Sequence, residues 1–241
     1  MTAADLESNA YLVGAIGEAY PGEPVLAEES TDPGSRLGAD RVWIVDPLDG
    51  TKEFLAANGE FSVMIGFVAS GWPVLGVVYL PARRLLYGAG SGLGAWVEPA
   101  GGERRSLHCV AAQPGSLRMV GSRSHPDTLL ERMQRALDVH DVRPSGSVGI
   151  KCALIAEGDR DVYIHPVPYL KEWDTCAPEV LVREAGGTVT DCLGNPLRYN
   201  QAVPTQVHGI VASATNVHAQ ILERIRPLYE AARRSEPAGA E

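Results

Sequence analysis

The sequence predicts an α/β (α+β) layered sandwich of alternating helices and mixed β-sheets, and three observations predict it. A helical stretch, Ala3 to Ala19, opens the chain. A run rich in β-branched and aromatic residues, Phe61 to Val110, is broken by turn residues at hairpin spacing. From Leu117 onward, short apolar strands alternate with helical segments.

Each element has a local reason. Thr2 is placed to cap the first helix, Asp5 lies in its first turn where the helix dipole favours an acid, and Pro21-Gly22 stops it. Val25-Leu26-Ala27 is a short buried strand ending at Glu28-Glu29-Ser30. Thr31 to Asp40, polar and Gly/Pro-bearing, is a loop. Arg41 to Val45 is the next strand and Thr51 to Ala57 a short helix. Phe61 to Ala69 and Val74 to Leu80 flank Ser70-Gly71-Trp72-Pro73, a hairpin signal. Strands follow at Arg84 to Tyr87, Gly94 to Val97 and Ser106 to Val110. The glycines at 88, 90, 92 and 94 sit between strands and precede no helix, so they read as a connecting turn and not a nucleotide loop.

One domain, 1–241, is expected to form two lobes, 1–112 and 113–241, parting near Gln113 to Ser116. In the second lobe Leu117 to Gly121 and Asp161 to His165 read as strands, Asp127 to Leu137 and Ser147 to Glu157 as helices. Asp174 to Ala185 is a helix closed by Gly186-Gly187. Gly187 to Asp191 and Gly209 to Ser213 are strands, Asn216 to Arg234 a final amphipathic helix, and 235–241 a disordered tail.

Net charge is −9, from 21 basic and 30 acidic residues. That balance excludes a sequence-independent nucleic-acid polymer as partner, which needs a basic face. No apolar run approaches the roughly 18 residues needed to span a membrane. Cys109, Cys152, Cys176 and Cys192 lack CxxC spacing and read as reduced thiols of a cytoplasmic protein. The histidines form no zinc pattern and read as structural or surface residues.

Chemistry concentrates in Trp43 to Phe54, WIVDPLDGTKEF. Asp46 and Asp49 close an apolar strand, where two carboxylates are costly without a positive group between them. Gly50 and Thr51 open a helix, whose free N–H groups suit a phosphate. Asp-Pro-Leu-Asp-Gly is equally a good turn, Glu28-Glu29 a solvated loop and Asp174 a helix cap. Three acidic clusters at element ends (Glu28-Glu29, Asp46/Asp49 and Asp174) instead suggest hard-cation ligands, because Mg²⁺ prefers oxygen donors.

These segments, with Trp173-Asp174 and Ala185-Gly186-Gly187, resemble the signature segments of the inositol monophosphatase superfamily, which also includes fructose bisphosphatase-like folds. Lys52-Glu53 in DPLDGTKEF, and Lys151-Cys152 in GSVGIKCALIAEG, resemble the 3′(2′),5′-bisphosphate nucleotidase branch. The resemblance implies a Mg²⁺-dependent phosphatase acting on a small phosphorylated substrate. Glu28, Asp46 and the Leu48 carbonyl would hold one Mg²⁺; Asp46, Asp49 and Asp174 would hold a second, with a third possible in the family. Asp5 and Thr51 would orient or deprotonate the attacking water, Gly50 and Thr51 would hold the phosphate, and Ser147 and Lys151 would contact the rest of the substrate. Li⁺ inhibition and a homodimer are implied too. The alternatives are an inositol-phosphate or fructose-1,6-bisphosphate phosphatase and a catalytically silent phosphate-binding homologue. Relatives carry a helix and hairpin before the segment matching Thr2 to Asp5, so an exposed apolar patch is expected beside the first helix.

Overall fold

The computed structural model describes residues 1–123 and 127–235. Among the described residues, two sheets and six α-helices stack in five layers. The first sheet takes its seven strands in chain order: β1 (Val25–Ala27), β2 (Arg41–Asp49), β3 (Ser62–Ala69), β4 (Trp72–Leu80), β5 (Leu85–Gly90), β6 (Gly94–Pro99) and β7 (Arg105–Leu107). β1 runs parallel to β2, and all later neighbours are antiparallel. The second sheet has five strands: β8 (Arg118–Ser122), β9 (Asp141–Ser145), β10 (Val162–His165), β11 (Gly187–Thr190) and β12 (Ile210–Ala214), ordered β11-β12-β10-β8-β9.

Alternation along the strands explains the layering. In β2, Val42 and Ile44 face the core shared by the two sheets, whereas Trp43 and Val45 face helix α1 (Ala3–Ala19). In β10, Tyr163 joins the shared core, and Val162 and Ile164 pack under α3 (Thr128–Ala136) and α6 (Thr215–Ser235). Between the sheets lie α4 (Val148–Ala156) and α5 (Glu172–Glu184). All nine residues of α4 are buried, which its apolar composition on every side dictates. α5 lies so close to the first sheet that a Cβ on Gly76 of β4 would sit 2.5 Å from the Ala177 carbonyl oxygen.

The layered mixed fold is the one expected, with several boundaries moved. β2 runs on to Asp49 instead of ending at Val45, and helix α2 (Thr51–Leu55) is shorter than expected. α5 begins at Glu172, two residues before Asp174. Of the glycine run expected to form a connecting turn, Gly88 and Gly90 lie within β5 and Gly94 opens β6, so Gly92 alone falls in the turn. β9 was not marked by periodicity: Asp-Val-Arg-Pro-Ser is polar and holds Pro144, tolerated because β9 is an edge strand pairing only with β8. Ser235, expected in the disordered tail, closes α6; the rest of that expectation, 236–241, lies outside the described residues. Leu6, Tyr11 and Tyr20 remain exposed along α1.

Within the loop between β1 and β2, Arg36 is buried. Its guanidinium bonds Asp32, the Asn200 side chain and the Gln201 carbonyl. Glu172 at the start of α5 accepts the Asn200 and Gln201 N–H groups at 2.7 and 2.8 Å. The loop after Glu28 is thereby tied to the end of the helix that carries Asp174.

Candidate active site

The two carboxylates of DPLD are three residues apart. In a regular strand that spacing sends them to opposite faces. A β-bulge corrects this. Asp46 pairs with Met64 and Asp49 with Ser62, so three steps on β2 match two on β3, and both carboxylates emerge on the face of Met64 and Ser62. Pro47, which could not donate to a ladder, sits inside the irregularity.

That face looks onto the N-termini of α4 and α5. Asp174, in the first turn of α5, completes the cluster: ligand oxygens of Asp46, Asp49 and Asp174 all lie within 4.8 Å of one another. Each carboxylate has one oxygen anchored by the protein. Leu48 N–H donates to Asp46 at 3.0 Å, and the Ser147 hydroxyl and Gly149 N–H donate to Asp49 at 2.5 and 3.1 Å. Lys171 N–H donates to Asp174 at 2.5 Å. Glu28 follows β1 directly, its N–H bonded to the Val45 carbonyl beside Asp46. It lines the cleft with Asp49 and Asp174 but lies outside the three-carboxylate group.

The electrostatics are those of like charges held together. Asp46 is 1% exposed, and burial, then Asp49 and Asp174, push its pKa well above the usual carboxylate range. Asp174 is pushed up to about 8 by burial and by Asp49. Glu28 is pushed up to about 7 by burial and by Glu29 and Asp49. Among the described residues no basic side chain forms an ion pair with any of these groups.

Asp5 comes from the first turn of α1 and accepts the Thr51 hydroxyl at 3.1 Å and the Thr2 N–H. Burial raises its pKa, but these bonds more than offset it and hold the carboxyl below its usual value. Gly50 and Thr51 border the cleft. Gly50 has φ +99°, and a Cβ there would lie 2.9 Å from the Glu60 carbonyl oxygen. Gly50→Ala is therefore expected to lower stability by about 2 kcal/mol from backbone strain and to reduce turnover by displacing Thr51. Thermal melts and steady-state kinetics on the same preparation check this.

The cleft has a volume of about 560 Å³. Lys151 lines it from within α4; it is buried, which lowers its pKa, and its Nζ lies 5.2 Å from the Tyr163 ring centroid. Ser147, expected at the substrate, caps α4 and spends its hydroxyl on Asp49 and on Ser62 at 2.7 Å, so the structure puts it behind a carboxylate. The far wall was missed by the sequence reading: His165, Tyr169, Leu170 and Lys171 all line the cleft. His165 had been grouped with structural or surface histidines. Tyr169, Leu170 and Lys171 follow one another between β10 and α5, in a segment with no periodicity to mark them.

Comparison with known proteins places the chain in a family. The model of the inositol monophosphatase family matches residues 1–230. The 3′(2′),5′-bisphosphate nucleotidase CysQ of Escherichia coli (strain K12) is 39% identical over 201 residues, 83% of this chain and 79% of that protein. A 3′-phosphoadenosine 5′-phosphate phosphatase of Mycobacterium bovis is 34% identical over 208 residues, 84% of this chain and 73% of its own. Among solved structures, CysQ from Bacteroides thetaiotaomicron superposes with a TM-score of 0.77 at 34% identity, covering 87% of this chain and 83% of that one. The chain belongs to the inositol monophosphatase family and is a phosphatase on the branch that these CysQ relatives share.

Proposed function

We propose that this phosphatase is Mg²⁺-dependent and removes the 3′-phosphate from a nucleoside 3′,5′-bisphosphate, adenosine 3′,5′-bisphosphate giving AMP. The observation that carries the reading is the trio Asp46, Asp49 and Asp174, of which Asp49 and Asp174 line a cleft that also takes in Gly50 and Thr51. The donor set fits a hard divalent cation. It is all oxygen, burial and like charge raise the pKa values of Asp46 and Asp174, and each of the three carboxylates is already aimed by a backbone or hydroxyl donor. Asp46, Asp49, Asp174, Glu28 and the Leu48 carbonyl would hold the ions. When bound, they neutralise phosphoryl charge and acidify water.

The chain's own residues do the rest. Asp5, kept ionised, holds the Thr51 hydroxyl hydrogen toward itself. The lone pairs of the Thr51 oxygen are then free to accept a hydrogen from the attacking water and fix its approach. Because the Asp5 pKa is depressed, it serves better to orient than to retain a proton. The N–H groups of Gly50 and Thr51 receive the phosphate, and Lys151 adds positive charge near Asp49 and Asp174.

The test measures phosphate release with Mg²⁺ from adenosine 3′,5′-bisphosphate and from inositol 1-phosphate. We expect kcat/KM at least about 100-fold higher for the nucleotide, the discrimination that several lost hydrogen bonds or stacking contacts impose, and inhibition by Li⁺. Comparable or reversed values would move the assignment to an inositol-phosphate phosphatase. Saturable Mg²⁺ binding without turnover of either would favour a silent homologue.

A further inference from the structure

We propose that Tyr169 is the stacking platform for the nucleobase, so that the wall between β10 and α5 selects nucleotides over other phosphomonoesters. This rests on the functional reading above and names the residue that gives it specificity. Tyr169 is 75% exposed although it lines the same cleft as Asp49, Thr51 and Asp174. A large aromatic ring on an open cleft wall leaves apolar surface in water, and a planar ligand would cover it.

The backbone that carries the ring is anchored. Pro166 and Pro168 restrict the backbone ahead of it. Behind it, Leu170 O accepts the Gln206 N–H at 2.9 Å, Lys171 Nζ reaches the Thr205 hydroxyl at 2.7 Å, and Pro204 O accepts the Glu172 N–H at 2.9 Å. A ring on an anchored loop loses little freedom when a ligand stacks on it. The volume of about 560 Å³ exceeds what a phosphate and a metal cluster need, and leaves room for a nucleoside. A cyclitol ring has no π-face to offer Tyr169, whereas every base does.

The experiment compares the wild-type protein with Tyr169→Ala and Tyr169→Phe, all with Mg²⁺. The substrates are adenosine 3′,5′-bisphosphate and ribose 3,5-bisphosphate, which keeps both phosphates but has no base. Tyr169→Ala is expected to raise KM for the nucleotide roughly 10- to 100-fold, the usual weight of one base–aromatic stack. It should leave kcat within about twofold, and leave KM for ribose 3,5-bisphosphate and the melting temperature unchanged. Tyr169→Phe should behave as wild type. Calorimetric binding of AMP, weakened by the same factor in Tyr169→Ala while inorganic phosphate binds equally, reads the stack independently of turnover. Equal effects on both substrates, no effect on either, or a wild-type protein that does not bind AMP overturns the stacking assignment. Wild-type preference for inositol 1-phosphate overturns the underlying function instead.

Discussion

Asp46→Asn is expected to lower kcat by on the order of 10³-fold or more and, in the metal-free protein at pH 8, to raise the melting temperature. The two effects share one cause. Asp46 is buried among Asp49, Asp174 and Glu28 with no ion pair among the described residues, and its charged form is disfavoured by burial and by all three. The amide keeps the acceptor that Leu48 N–H uses, so the bulge that aims the side chain survives. What disappears is a negative charge. With a cation present, that charge is needed, because Asp46 is proposed to be shared between two metal positions. Without one, it is repulsion held inside the fold. Relief of one pKa unit of repulsion is about 1.4 kcal/mol, roughly 3–5 °C for a chain of this size. Calorimetry in EDTA and phosphate release in Mg²⁺ measure the two halves. A variant that is less stable in EDTA and fully active in Mg²⁺ sinks the metal assignment.

How much of this was legible differs element by element. DPLDGT announces two acids at a strand end because Asp, Pro and Gly in that order cannot continue a regular buried ladder. The same residues conceal the geometry: taken as a strand ending at Val45 and then a turn, they give no reason for Asp46 and Asp49 to share a face. The shared face arises from one extra residue opposite Met64 and Ser62, and register against a partner strand is a tertiary fact. Asp174 was read as a helix start, and its helix was read two residues short, because Glu172 resembles any surface acid until Asn200 and Gln201 are seen to bond it. Arg36 has the same history: in sequence it is a loop arginine, in the fold a buried tie between two loops. The cleft wall of His165, Tyr169 and Lys171 has no periodicity that would mark it as a wall. Only the packing of α5 against both sheets brings its residues to the acids.

The Mg²⁺-induced rise in melting temperature is expected to be small at pH 5 and large at pH 8. The folded-state carboxylates of Glu28 and Asp174 titrate near 7 and 8, whereas in the unfolded chain they titrate near 4. A carboxyl whose pKa is raised by folding holds its proton more tightly in the folded state. In the metal-free protein, stability therefore falls as pH climbs from about 4 through about 8, and the loss is complete above that. Mg²⁺ competes with protons for these oxygens, so at pH 5 it finds them mostly protonated. At pH 8 it binds the ionised cluster and removes the repulsion. A ligand at 100 times its Kd contributes about 2.7 kcal/mol, on the order of 5–10 °C here. Glu179, buried on α5 and accepting the Tyr199 hydroxyl at 2.7 Å, is also raised to about 7. It shifts the absolute melting temperature over the same range, yet it is not among the acids lining the cleft. The difference between melts with Mg²⁺ and with EDTA at each pH cancels its contribution and isolates the cluster. Asp46→Asn should flatten that difference across the whole range. An equal Mg²⁺ effect at pH 5 and pH 8 in the wild-type protein would place the cation somewhere other than these carboxylates.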